Sequence, residues 1–219
     1  TVDSVSFFTG DKLNHIKVNK EAILSAGAIG SPHLLQISGI GDGEKIKKHG
    51  IEVVHELKGV GKNLQDHLMF RPVYKLKNIK SLNRDVESFY SKFLMGLQYI
   101  FKQSGPITMG ASQVCAFTKS DPSRATPNLQ FHVQPLSTDL LGVTPMHDFE
   151  GITPTVANIR PSSRGEINIS SNDSRDNPKI KMNYLSTEDD RIVAAKGWKL
   201  VRKIMLETET FKKYQPAES

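Results

Sequence analysis

The sequence contains a single cysteine, Cys115, among 219 residues. One thiol cannot form an internal disulfide, and chains without disulfides are typical of reducing compartments, so the composition favours a cytoplasmic protein. Cys115 stands between apolar neighbours in the string QVCAF. We expect it to be buried in the core rather than to act as a nucleophile, because a buried cysteine behaves as a small hydrophobic residue.

Long apolar runs are also absent, and none approaches the roughly 20 residues that a membrane-spanning helix needs. Thr1 does not begin a charged and then apolar leader, so no signal peptide is expected in this segment. Hydrophobic residues make up 37% of the chain and charged residues 24%, which is typical of a folded globular protein. The length suits one large domain or two modest ones.

The net charge of +6 does not indicate a nucleic-acid partner. Lysines and arginines are interspersed with acidic residues, as on a solvated surface. The densest basic groups, at residues 45–48 and 212–213, lack the interleaved aromatic side chains of a single-strand binder. We therefore expect no nucleic-acid binding.

Several catalytic and binding motifs are missing. One cysteine and dispersed histidines offer no ligand pairs for a metal ion. The sequence has no Gly-x-Ser-x-Gly elbow and no phosphate-binding P-loop. A Gly-x-Gly-x-x-Gly fingerprint is absent too, since Gly59-Val60-Gly61 continues to Leu64.

The first third of the chain has an α/β pattern. Clusters of β-branched and aromatic residues between breakers predict strands, and apolar spacing after capping residues predicts helices. The predicted elements are strands at 2–8, 15–25 and 51–57, a turn at Gly10-Asp11, a helix opened by Ser31 as N-cap and Pro32, and a helix at 43–49 closed by Gly50.

The remainder has an α+β pattern, and the composition changes near residues 67–71. Apolar residues at helical spacing predict a long amphipathic helix at 85–102. A capping box at Ser186 predicts a final helix at 186–207 that lies on a sheet. The sheet is predicted to be antiparallel, with strands at 112–118, 128–134, 152–160 and 165–170.

Residues 27–41, GAIGSPHLLQISGIG, carry the strongest functional signal. An apolar segment that ends in small residues and leads into a helix lets backbone amides and the positive helix end approach a phosphate or ribose. Gly27 and Ala28 leave room for such close contact. From the residues alone, this is one candidate nucleotide site among many turns of similar shape.

The string KEAILSAGAIGSPHLLQISGIG closely resembles the second signature of the glucose-methanol-choline (GMC) oxidoreductases, which oxidise alcohols with FAD. ELKGVGKNLQDHL looks like the block that follows it in that family. SGPITMGASQVCAF, PNLQFHVQP, RPSSRGEINISS and KMNYLSTEDDRIV are similar to the choline-dehydrogenase-like branch. The resemblance covers nearly the whole chain.

The resemblance implies two parts. Residues 1–70 would belong to an FAD-binding, Rossmann-like dinucleotide domain, and residues 71–219 to a substrate domain with an antiparallel sheet and helices, in which the C-terminal module begins near 161. The cofactor-side residues it implies are Ser25, Ala26, Gly27, Ser31, Asn63, Gln65, Asp66 and His67. A histidine that merely stabilises the turn is an equal alternative for His67.

The resemblance also implies that this chain is an internal fragment. The family's first FAD fingerprint would precede Thr1, and its catalytic histidine with a His or Asn partner would follow Ser219. We therefore expect no catalytic residue here, and we expect the isolated 219 residues to be inactive.

A polar face on one strand is the candidate substrate pocket. In NLQFHVQP, alternation places Gln130, His132 and Gln134 opposite the apolar Leu129 and Phe131. The polar face could line a substrate cavity or simply face solvent. Three further candidates on the same grounds are Met109, Gln113 and Asn158.

The function implied is hydride transfer from an alcohol carbon to FAD, with an electron acceptor that the sequence does not identify. Two alternatives stay open: an FAD-containing hydroxynitrile lyase of the same family, and a non-catalytic binding module. Choline itself is also undecided, because a quaternary ammonium needs an aromatic cage and the chain has one tryptophan, Trp198.

Overall fold

The computed structural model describes residues 1–110, 112–140 and 142–219. They form two compact units, one of residues 1–64 and 165–182 and one of residues 65–164 and 183–219. The predicted division at residue 70 into a cofactor part and a substrate part concerns roles and stays a prediction.

The strands and helices have the following bounds. The strands are β1 (Ser4–Thr9), β2 (Lys12–Lys17), β3 (Ile40–Gly41), β4 (His55–Glu56), β5 (Met69–Phe70), β6 (Tyr74–Lys75), β7 (Val114–Thr118), β8 (Leu129–Gln134), β9 (Gly151–Asn158), β10 (Glu166–Asn168), β11 (Lys179–Lys181) and β12 (Ala217–Glu218). The helices are α1 (Gly27–Ile37), α2 (Gly43–Lys47), α3 (Leu82–Glu87), α4 (Phe89–Lys102), α5 (Glu188–Glu207) and α6 (Glu209–Lys212), with a 3-10 turn at Pro106–Thr108.

The first unit begins with the antiparallel hairpin β1–β2, which turns at Gly10 as predicted. The strand predicted to continue to residue 25 is wrong, because β2 ends at Lys17 and residues 21–26 are exposed and outside any strand. An apolar run forms a strand only when a neighbour accepts its backbone hydrogen bonds. Within the described ranges, no strand pairs with residues 18–26.

Helix α1 starts earlier than predicted. Its first residue is Gly27, with φ +74°, and Ser31 lies inside the helix rather than at its N-cap. The Ser31 hydroxyl accepts a hydrogen bond from the Ala26 backbone N–H at 3.0 Å, so it closes the turn that leads into the helix. Gly39, with φ +81°, follows the C-terminus.

Helix α2 is capped by Asp42, whose carboxylate accepts from the Lys45 backbone N–H, and it ends two residues before the predicted His49. The predicted strand at 51–57 is reduced to β4, which pairs in parallel with β3. β3 and β4 each have one partner strand among the described residues.

A buried glutamine joins α1 to β10. The Gln36 amide donates to the Ile167 carbonyl at 2.9 Å and accepts from the Ile169 N–H at 2.9 Å. The strand at 165–170 was predicted to belong to the same antiparallel sheet as the strands at 112–118, 128–134 and 152–160, and this prediction is wrong. β10 pairs with β11 instead, and the Gln36 side chain forms hydrogen bonds with backbone groups on the other edge of β10.

Glu166 on β10 accepts hydrogen bonds from the ammonium groups of Lys62 and Lys45, which lower the pKa of its carboxyl to about 2. A carboxyl whose pKa falls on folding contributes stability above its ordinary pKa and loses it as the pH falls. We expect Glu166→Gln to lower the free energy of unfolding by about 1 kcal/mol at neutral pH, since the pair is partly screened by solvent. Chemical denaturation should show this difference shrinking as the pH falls from 5 towards about 2; a constant difference would contradict the assignment.

The second unit is built on an antiparallel sheet with strand order β12-β6-β9-β8-β7, and β5 also pairs with β9. This confirms the predicted antiparallel sheet and the strands at 112–118, 128–134 and 152–160. The helix predicted at 85–102 is instead two helices, α3 and α4, because Ser88 adopts an extended conformation and its hydroxyl caps α4.

Helix α5 lies across one face of this sheet, as predicted. Its buried Val193, Val201 and Met205 pack with Leu129 and Val156 of the sheet. A side chain at Gly197 would place its Cβ 3.2 Å from both Leu129 and Val156, so the glycine allows the helix to approach closely. The helix is capped by Thr187, which accepts from the Asp190 N–H.

Candidate functional site

The start of α1 is the first candidate. Ser25, Ala26 and Gly27 are all exposed, and a Cβ built at Gly27 meets no atom within 4 Å. The first amides of the helix therefore face open space, where the positive end of the helix favours an anion. This arrangement fits a phosphate- or ribose-bearing ligand, and Ser31 fixes the turn that presents it.

A polar cavity of about 560 Å³ is the second candidate, and we call it the His67 cavity. The structure brings three predicted cofactor residues, Gln65, Asp66 and His67, together in its wall. The opposite wall is the segment that follows β9, and its lining residues are Ile159, Arg160, Pro161, Ser162 and Arg164.

Hydrogen bonds hold both walls of the His67 cavity. Asp66 accepts from the His67 backbone N–H at 2.8 Å and from the Tyr184 hydroxyl, and this second bond, with partial burial, raises the pKa of Tyr184 to about 12. On the other side, buried Asp190 accepts from the backbone N–H groups of Ser162 and Ser163, each at 2.8 Å. This role of Asp190 was not predicted from the sequence.

The predicted cofactor residues fall in both units. Five of them, Ser25, Ala26, Gly27, Ser31 and Asn63, belong to the first unit, and Asn63 adopts a left-handed conformation with φ +62°. The other three line the His67 cavity in the second unit. Their common role toward one cofactor stays a prediction.

A third candidate is a smaller cavity of about 270 Å³ on the sheet face opposite α5, which we call the sheet-face cavity. Its lining residues are Met69, Arg71, Ser112, His132, Gln134 and Thr155. His132 and Gln134 were predicted from alternation, and the apolar side of the same strand packs on α5 as that alternation requires. Gln130 lies on β8 and Gln113 immediately precedes β7, and neither residue lines this cavity.

The strand register explains how the sheet-face cavity forms. Cys115 is opposite His132, and His132 is opposite Thr155, so the three side chains form one row across β7, β8 and β9. Phe70 pairs with Val156, which brings the next residue, Arg71, to the end of this row. Arg71 and Thr155 were not predicted from the sequence, because their position in this row depends on pairing between strands far apart in the chain.

The prediction that Cys115 is buried is wrong, because its thiol is exposed. β7 is the outer strand of the sheet, and Cys115 lies on the face that α5 does not cover. The weaker pocket candidates Met109 and Asn158 do not line the cavity; Asn158 instead donates to Asp190 at 3.2 Å.

The described part of the chain offers no group of three or more metal-ligating side chains. No helix within it is long and apolar enough to cross a bilayer.

Comparison with known proteins gives consistent matches. Family models described as GMC oxidoreductase match residues 2–69 and 161–219, which together exceed half the chain. An oxygen-dependent choline dehydrogenase of Photobacterium profundum is 38% identical over 187 residues, which cover 85% of this chain and 33% of that protein. An alcohol dehydrogenase [acceptor] of Pseudomonas putida is 40% identical over 185 residues, covering 84% of this chain and 33% of that protein.

Among solved structures, an FAD-dependent oxidoreductase from Chaetomium thermophilum superposes with a TM-score of 0.82 at 20% identity, over 99% of this chain and 43% of that chain. A formate oxidase superposes with a TM-score of 0.87 at 22% identity, over 99% of this chain and 42% of that chain. This likeness confirms the predicted fold class, an α/β part joined to a domain with an antiparallel sheet and helices. The chain spans about a third of the length of the curated relatives it matches. With both of its family matches in the expected order, the chain belongs to the GMC oxidoreductase family.

Proposed function

We propose that this chain is part of an FAD-dependent oxidoreductase that oxidises a CH–OH group of a small alcohol. One observation carries the proposal. The His67 cavity is built from two segments, 65–67 and 159–164, and these lie within or at the edge of the two regions that match the GMC family models. A shared cavity is what a common ligand of both regions requires.

The residues present fit FAD. The open space at Gly27 and the exposed amides of α1 suit close approach of a phosphate or ribose, and the His67 cavity offers hydrogen-bonding groups on two sides. When bound, FAD supplies the ring that takes up a hydride from the alcohol carbon. We assign Ser25, Ala26, Gly27, Ser31, Asn63, Gln65, Asp66 and His67 to its binding.

The polar residues of the sheet orient the substrate in this proposal. Gln113, Gln130, His132 and Gln134 hold the alcohol through hydrogen bonds, so that its carbon is positioned for transfer. We assign the proton-abstracting base to a histidine outside these 219 residues, as the family resemblance implies. We also keep the cytoplasm as the proposed compartment, on the ground of the single free thiol.

The test uses the longest flavoprotein that the gene encodes, purified with bound flavin. Anaerobic addition of a small primary alcohol should bleach the flavin absorbance. A protein whose flavin is never bleached, but which cleaves a cyanohydrin, would favour the hydroxynitrile lyase. A protein that holds no flavin would favour the non-catalytic binding module.

His67→Ala should weaken FAD binding about tenfold, because the loss of one hydrogen bond to the cofactor costs about 1.4 kcal/mol. Flavin content after dialysis against a dilution series would measure the effect. His55→Ala, at an exposed position on β4, is the matched control and should retain its flavin. Equal retention by both variants would remove His67 from the cofactor site.

A further inference from the structure

The sheet-face cavity contains a buried hydroxyl to which no described residue forms a hydrogen bond. Thr155 is 3% exposed, and among the described residues its Oγ1 has no hydrogen-bond partner. A buried hydroxyl left in this way costs free energy that a bound ligand can recover. Thr155 lies beside His132 in the register of the sheet, so its unbonded hydroxyl is available to a ligand in the cavity that both residues line.

Arg71 and Ser112 supply hydrogen-bond donors to the cavity. The Arg71 guanidinium donates one N–H to the Gln134 side-chain oxygen at 3.1 Å, and no other described side chain of the lining accepts from its remaining four N–H groups. The Gln134 side-chain nitrogen donates to Ser112 at 3.3 Å, so the Ser112 hydroxyl hydrogen is also directed elsewhere. No carboxylate is present in the described lining.

The cavity is therefore unsuited to a quaternary ammonium group. A cation would lie against the Arg71 guanidinium and would satisfy none of the donors. An ammonium cage also needs aromatic faces, and the described lining contains no phenylalanine, tyrosine or tryptophan. Trp198 packs edge-on against Phe70, which belongs to the core cluster on the α5 side of the sheet.

We propose that the sheet-face cavity binds a carboxylate carried by the alcohol substrate, with Arg71 and Thr155 as its specificity-determining residues. A carboxylate is planar, accepts paired hydrogen bonds from a guanidinium, and has lone pairs left for the Thr155 hydroxyl and the His132 ring. The cavity volume of about 270 Å³ suits a short hydroxy acid. This inference rests on the proposed function, since it names the substrate class of the same site.

The test compares three alcohols of similar size on the full-length flavoprotein: 4-hydroxybutyrate, 1-butanol and choline. We expect 4-hydroxybutyrate to give the highest kcat/KM. Arg71→Met should lower its kcat/KM by about 30-fold, mainly through KM, which is the range for a lost charge-assisted hydrogen bond. Thr155→Val, which keeps the shape and removes the hydroxyl, should lower it about fivefold.

Three comparisons distinguish a loss of carboxylate binding from a general loss of enzyme activity. Arg71→Lys keeps the charge and loses the paired geometry, so it should fall between wild type and Arg71→Met. Arg71→Met should lose far less on 1-butanol than on 4-hydroxybutyrate. Lys77→Met removes an exposed charge of the same unit and should change neither substrate.

Failure of this inference can be told from failure of the proposed function. Flavin reduction that is most efficient with choline, and unaffected by Arg71→Met, would overturn the carboxylate site while leaving the alcohol oxidation intact. If no alcohol reduces the flavin, the carboxylate site is tested separately by the binding of butyrate. Resonances of Thr155 and His132 that shift with butyrate in the wild type but not in Arg71→Met would support the site, and unmoved resonances would overturn it.

Discussion

Asn83→Leu should lower the free energy of unfolding by about 4 kcal/mol, because it leaves several buried backbone groups without a hydrogen-bond partner, at a cost of about 1–3 kcal/mol each. Asn83 is fully buried, at 0% exposure. Its amide nitrogen donates to the carbonyls of His147 and Phe149 and to the Ser137 hydroxyl, and its oxygen accepts from the Ser137 N–H at 2.7 Å. Leucine fills the space but makes none of these bonds.

The measurement is thermal unfolding followed by circular dichroism, where a loss of this size should lower Tm by about 8–16 °C for a chain of this length. Asn172→Leu makes the same chemical change at an exposed loop position and should stay within about 0.5 kcal/mol of the wild type. Asn83→Asp keeps the shape but places a carboxylate against two carbonyl oxygens. Its defect should lessen as the pH falls and the carboxyl becomes protonated, which a purely steric role for Asn83 would not produce.

Asn83 also helps to position the strand that lines the sheet-face cavity. It lies two residues after Ser81, whose hydroxyl donates to Glu150 and accepts from the Gly151 N–H at 3.1 Å. Together they fix the segment from which β9 begins. Since β9 carries Thr155, loosening this segment should weaken the sheet-face cavity as well as the fold.

Sequence periodicity predicted the second unit well. The alternation at Leu129, Gln130, Phe131 and His132 gave both the strand and the face that packs on α5, because each side chain's environment is set by period 2 alone. The same reasoning gave α5 from its cap and apolar spacing. These are local properties, so one sequence suffices to predict them.

Other features depend on partners that periodicity does not identify. The strand predicted at 15–25 ends early, because a strand requires a neighbour and none pairs with residues 18–26 among the described residues. Cys115 has the apolar neighbours of a core residue, yet it lies on the uncovered face of an outer strand. Arg71 lies at the sheet-face cavity because β5 pairs with β9, and this pairing cannot be read from the sequence around Arg71.

Asp190→Asn should cost about 3 kcal/mol of unfolding free energy, which is the loss of charge-assisted hydrogen bonds at a buried carboxylate. Both oxygens of Asp190 accept from backbone N–H groups, those of Ser162 and Ser163. An asparagine would turn its own NH₂ group toward one of these donors, so one bond becomes a donor-donor contact. Asp189→Asn is the control, because the neighbouring Asp189 side chain is half exposed and, among the described residues, forms an ion pair with Arg124 alone.

The pH dependence gives this prediction a second measurement. Burial alone would raise the pKa of the Asp190 carboxyl, but the hydrogen bonds from Ser163 and Ser162 outweigh burial and hold its pKa below the ordinary value. The carboxylate therefore contributes stability above the pKa of the unfolded chain, and this contribution is lost as the pH falls through the lower folded-state pKa. Unfolding curves of the wild type and Asp190→Asn should differ at neutral pH, and the difference should begin to shrink as the pH falls below about 3.9, where the unfolded carboxyl titrates.

The same substitution links stability to the cofactor. Ser162 and Asp190 hold the wall of the His67 cavity that carries Arg160 and Arg164. If this cavity binds FAD, Asp190→Asn in the full-length flavoprotein should release flavin at temperatures below global unfolding, and Asp189→Asn should not. Flavin fluorescence, which rises on release, can be recorded beside circular dichroism in one melt. Coincident transitions in Asp190→Asn would mean that this wall has no special role in holding the cofactor.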